Sequence, residues 1–154
     1  MTGHTRNARV RCALALGVAT VGACGDSTGP QTVELVRNRA KWEARGPEAY
    51  TFEYHRSCGE CLPEWVRPVR ISVDGGVVTA VVLAATSEPV DPPDFRFTID
   101  SLFAQVERTI AQRPYRLTVE YDPALGYPRS MAVDLDRTAV DDEGGFGAHL
   151  VSTP

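Results

Sequence analysis

The chain has 154 residues, with 16 basic and 20 acidic side chains and a net charge of −4. An acidic chain with no basic stripe argues against nucleic acid as a partner, because phosphate backbones are held by clustered lysine and arginine. Four cysteines are too few for a disulfide-built scaffold, and a chain of this size needs none: it can bury about two thirds of its surface in one core.

The amino terminus carries Arg6, Arg9 and Arg11 and no acid. Residues 12–23, "CALALGVATVGA", are apolar but shorter than the roughly 20 residues needed to span a bilayer. A basic flank before a short apolar core is the layout of an export signal. The run ends in "VGAC", and Cys24 is followed at once by the polar "GDSTGPQT". This resembles the lipobox of bacterial lipoproteins, whose cysteine is lipidated and becomes the first mature residue; the alternative is an ordinary cleaved signal. The resemblance makes residues 1–23 a signal peptide and places the protein outside the cytoplasm, on the periplasmic or cell-surface side. It would be held to a membrane by lipid on Cys24. Cleavage removes three arginines and no acid, leaving 131 residues with a net charge of −7. Residues 24–31 then form a flexible tether with a typical span of about 16 Å. Residues 32–152 form a single domain.

Thr32 reads as the N-cap of a helix over residues 33–45, with Leu35, Val36, Ala40 and Trp42 on its inner face. Gly46 and Pro47 end it. "AYTFEYHRS" alternates, placing Tyr50, Phe52 and Tyr54 on one side of a strand and Thr51, Glu53 and His55 on the other. "PVRISVDGGVVTAVVL" gives a hairpin of two further strands turning through Asp74-Gly75-Gly76. After a proline-rich acidic loop at residues 84–95, Thr98 caps a second helix over residues 99–113. Its apolar stripe is Ile99, Leu102, Phe103, Val106 and Ile110. "YRLTVEY", "RSMAVDLD" and "GFGAHLVS" supply three more strands.

The order helix, three strands, helix, three strands is a loose internal repeat of elements. Short connections make the neighbouring strands antiparallel. The expected fold is α+β: two helix–strand–strand–strand units forming one mainly antiparallel six-stranded sheet, with two helices packed on one face. The opposite face would carry Glu53, Arg70, Glu120 and Asp134 into solvent, as a docking surface or simply as a hydrated sheet face.

Cys58 and Cys61 are the cysteines left after processing, in an oxidising setting that favours a disulfide. Closing so small a loop is worth about 2 kcal/mol, which suits a clamp at a strand end. Thiol–disulfide chemistry is the alternative, although a thioredoxin-type pair sits at a helix start. Metal binding by the pair with His55 or His149 is a further alternative, without spacing that demands it. Asp134, Asp136, Asp141, Asp142 and Glu143 gather hard oxygen ligands for calcium, but Ala139 stands where an EF-hand loop has glycine. The bland reading of that cluster is a solvated hairpin end. Trp42 reads as a core anchor and Trp65 as a loop packing residue. No nucleophile elbow or phosphate loop is present, so neither a catalytic group nor a cofactor is expected.

"AYTFEYHRSCGEC", "VRISVDGGVV", "TIDSLFAQV", "YDPALGYPRSMAVD" and "AVDDEGGF" occur in that order. From about Trp42 to Leu150 the chain resembles a bacterial envelope family catalogued as domain of unknown function 6174. The resemblance implies a secreted or lipid-anchored protein and supplies no activity. The cysteine pair is spaced more widely than is usual in similar proteins. The resulting expectation is a non-enzymatic binding or regulatory module with an envelope protein as partner. At fold level alone, the helix-plus-three-strand unit is similar to small secreted domains that regulate or inhibit enzymes.

Overall fold

The computed structural model describes residues 29–90, 95–139 and 142–152. The expected signal peptide (residues 1–23), Cys24 and Asp141 lie outside the described residues. The elements are α1 (Pro30–Arg45), β1 (Ala49–Cys58), β2 (Val69–Asp74), β3 (Val77–Leu83), α2 (Ile99–Ala111), β4 (Arg116–Tyr121), β5 (Pro128–Asp134) and β6 (Gly144–Ser152). They build the expected α+β fold, with all six strands antiparallel in the order β3-β2-β1-β6-β5-β4.

α1 starts two residues before the expected cap. Pro30 occupies the first turn, where its fixed φ suits a helix and its missing N–H costs nothing. Thr32 is therefore helical, and the supposed tether loses Pro30 and Gln31 to α1. The inner face is Leu35, Asn38 and Trp42; Val36 is 61% exposed and Ala40 is exposed, against expectation. Asn38 tolerates burial because its side-chain amide donates to the Glu34 carbonyl at 3.0 Å. α2 begins at Thr98 as predicted, in a reciprocal capping box with Ser101. It buries Ile99, Leu102, Phe103 and Val106, and Thr109 as well.

The core lies between the helices and one sheet face. Tyr50, Phe52 and Tyr54 of β1 and Val69, Ile71 and Val73 of β2 are all buried there. Burying such a side chain is worth about 1.5–3 kcal/mol, so the period-two pattern fixes which way the strand faces. Trp42 meets Tyr50 edge-on at 5.3 Å, and the Ile99 N–H donates to the Tyr50 hydroxyl at 3.1 Å. Those two contacts pin both helices to β1. The Asp74-Gly75-Gly76 hairpin forms as expected, with φ of 55° and 77° at the two glycines.

The two three-strand meanders meet through β1 and β6. Viewed from the helix side with each unit's first strand pointing up, the second strand lies on opposite sides in the two units. Duplicates of one unit would share a hand, so the repeat of element order is not a repeat of structure. The first and last strands thereby occupy the centre of the sheet, and the uncovered face runs across all six strands.

Candidate functional site

Residues directly opposite in antiparallel strands point to the same face. His55 stands opposite Gly147, Gly147 opposite Ser130, and Ser130 opposite Glu120. The next row is Ser57, Gly145, Ala132 and Thr118. Of these, Ser57, Ser130, Ala132 and Gly147 floor a trough of about 530 Å³ on the uncovered face, bordered by Glu53, His55, Glu120, Arg129 and His149. Gly147 sets its depth: a side chain there would run into the His55 imidazole.

The four predicted binding residues all lie on this face but do not converge. Glu53 and Glu120 border the trough from opposite sides. Arg70 sits one strand farther out, 4.0 Å from the Glu53 carboxylate, and its guanidinium donates to the Ala84 carbonyl. Asp134 lies opposite Arg116 and lines a second depression, of about 410 Å³, with Ser57, Cys58, Arg116 and Glu143. One Asp134 carboxylate oxygen is buried there without a hydrogen bond. Sequence patterning overlooked the floor of the trough. Glycine reads as a strand weakener, and only the pairing of β6 with both β1 and β5 reveals Gly147 as its lining.

Cys58 and Cys61 form a disulfide with a Cα–Cα distance of 5.6 Å. Cys58 is the last residue of β1, and a turn and a three-residue 3-10 segment, Pro63–Trp65, follow the pair. The pair therefore lacks the helix N-terminus that activates a redox thiol. The Gly59 N–H donates to the Glu143 carbonyl at 3.3 Å, tying the disulfide turn to the entry of β6. Beyond it the loop turns Leu62 and Trp65 outward, 51% and 46% exposed. Trp65 is thus a surface aromatic rather than the packing residue expected, because the short segment that carries it has no buried residue.

The acidic run holds its own turn. Asp136 accepts from the Thr138 N–H at 2.9 Å and hydroxyl at 2.8 Å, and these bonds hold its carboxyl below the usual range. Asp142 accepts from the Asp136 N–H at 2.7 Å. Among the described residues, no three histidine, cysteine, aspartate or glutamate side chains come together to hold a cation. Asp141 lies outside that set.

"YDPALGYP" also has a structural use. Asp122 accepts from the N–H groups of Ala124 and Leu125 at 3.0 and 2.8 Å, which closes the turn between β4 and β5. Gly126 brings the turn against the Asn38 carbonyl of α1. Tyr127 packs on Trp42 at 6.0 Å and accepts from the Leu150 N–H at 3.3 Å.

Residues 34–153 match the family model described as "Family of unknown function (DUF6174)". No curated protein and no solved structure matches the chain. Among the described residues, no helix is long and apolar enough to cross a membrane.

Proposed function

We propose a function for this protein, which belongs to the DUF6174 family, from its own geometry. It is a lipid-anchored envelope protein that works as a non-catalytic binding module, docking an exported protein across the uncovered sheet face. One observation carries this reading: both helices cover one side of the sheet, while the other side is hollowed over Gly147, Ser130 and Ala132 and ringed by polar groups of both signs. Hydrated sheet faces are ordinary; a hollow at the centre of one is a shape that accepts a protruding segment. The ring groups are spread over four strands, an arrangement that suits contact along a surface more than chemistry at a point. Exposed Trp65 adds an aromatic of the kind that anchors protein interfaces.

The test is affinity capture from membranes with and without the trough. The wild-type protein should recover a protein partner. Filling the floor with Ser130→Arg and Ala132→Arg should abolish recovery while the melting temperature holds. Undiminished capture by the filled variant would remove the trough from the interface.

Thiol–disulfide exchange is the second reading, favoured by the position of Cys58 beside Arg116 in the smaller depression. A cation there would stabilise a thiolate. A clamp should titrate below about −300 mV, and a potential near those of strong oxidants would support exchange instead.

A further inference from the structure

The two edges of the sheet are treated differently. Along β3 the chain seals its own edge. The Leu83 N–H donates to the Glu88 carbonyl at 2.9 Å, the Val90 N–H donates to the Val81 carbonyl at 3.0 Å, and Val82 bridges Pro89. A register shift at Ser72/Val73 further distorts the β2–β3 ladder. Such return loops and bulges blunt an edge against pairing. β4, the opposite edge, has no strand outside it among the described residues. A cleft of about 210 Å³ runs beside it, lined by Gln31, Glu34, Ile110, Leu117, Val119 and Tyr121.

We propose that β4 pairs antiparallel with β4 of a second copy, with the two-fold axis at Thr118. The strand reads Arg116-Leu117-Thr118-Val119-Glu120, and about its centre it is complementary to itself. Arg116 falls opposite the partner's Glu120, Leu117 opposite the partner's Val119, and both relations recur across the axis. Opposite charges at cross-strand positions stabilise a pair. An axis between residues would set a core-facing side chain against a solvent-facing one, so the dyad must pass through a residue. Moving it to Leu117 or Val119 leaves Arg116 without an acidic partner inside β4. Thr118 alone satisfies both ion pairs within the strand.

Antiparallel pairing in the sheet plane sets the two-fold axis perpendicular to the sheet. Both helix layers then share one face and both troughs the other. Under the lipid-anchor reading both chains would leave toward one membrane, but the pairing stands without that reading. One added strand pair is a small interface, so the dimer is concentration-dependent.

The experiment uses the full-length protein. Thr118→Cys should give a disulfide-linked homodimer on mild oxidation, because each new thiol faces its copy at the axis. Thr79→Cys on the sealed edge should give none. Adding Arg116→Glu to Thr118→Cys should cut the cross-link at least tenfold, and adding Glu120→Arg as well should restore it. Absence of a cross-link at Thr118→Cys, an equal yield at Thr79→Cys, or indifference to the charge reversal would each overturn the proposal. The thermal melt of each variant shows that the domain is folded. Partner capture by the trough is scored separately, so failure of one reading leaves the other standing.

Discussion

Single residues explain why "YDPALGYP" belongs to the scaffold. Gly126 has φ of 82°, and a Cβ there would strike the Asn38 carbonyl and lie 2.8 Å from the Lys41 Cβ. Gly126→Ala should therefore destabilise the domain by about 2–4 kcal/mol, combining left-handed strain with overpacking against backbone. Gly75→Ala, at φ of 55° with nothing within 4 Å, should cost only about 1 kcal/mol. Urea unfolding of the two variants makes the comparison, and equal losses would remove the packing argument. The tyrosines give a pH prediction. Burial, helped by the charge on Glu34 and opposed by Arg39, pushes Tyr121 up to about 12 from 10.0. Burial also raises Tyr50 and Tyr54. A phenol that ionises later in the folded state contributes stability that is full below pH 10. That stability is lost as pH rises from 10 toward 12. The urea midpoint should fall over that window, and less steeply in Tyr121→Phe. Hydrophobic pattern could not find Asn38, because its burial rests on a hydrogen bond one turn back and on contact with a distant glycine.

At the scale of elements, legibility followed amphipathicity. α2 carries a continuous apolar stripe and a capping box, and its start and inner face were readable from residues. α1 has apolar side chains on both sides, with Val33 and Val36 outside and Leu35 and Trp42 inside, so periodicity alone placed Val36 wrongly. β6 carries Gly144, Gly145 and Gly147, which weaken strand preference, yet is a nine-residue central strand; its stability comes from neighbours on both sides, which no local signal reports. The end of α2 supplies a test of local strain. Arg113 has φ of 54° just after the C-cap Gln112, a position that favours glycine. Arg113→Gly should raise stability by about 1 kcal/mol, read as a higher urea midpoint. An unchanged or lower midpoint would mean that the arginine side chain has a compensating contact.

For the whole molecule, chain order and layer geometry together orient the domain. Short loops make each meander legible, but nothing local says which strands of the two meanders join; that depends on covering one continuous core with two helices. With β1 and β6 joined, the N-terminal helix lies on the side away from the trough. Under the lipid-anchor reading, the five residue-to-residue steps from Cys24 to Gly29 reach at most about 18 Å. α1 must then sit close to the headgroups. It carries Arg37, Arg39, Lys41 and Arg45 against Glu34 and Glu43, a basic helix on an acidic domain and thus suited to an anionic leaflet. The helix layer and sheet together place the trough about 20 Å farther out. A fluorophore on Val36→Cys should accordingly be quenched by headgroup-nitroxide lipid several-fold more than one on Ser130→Cys, and Cys24→Ser should release both from the vesicles. Equal quenching at the two positions, or stronger quenching at Ser130→Cys, would turn the trough toward the membrane and deny it to a protein partner.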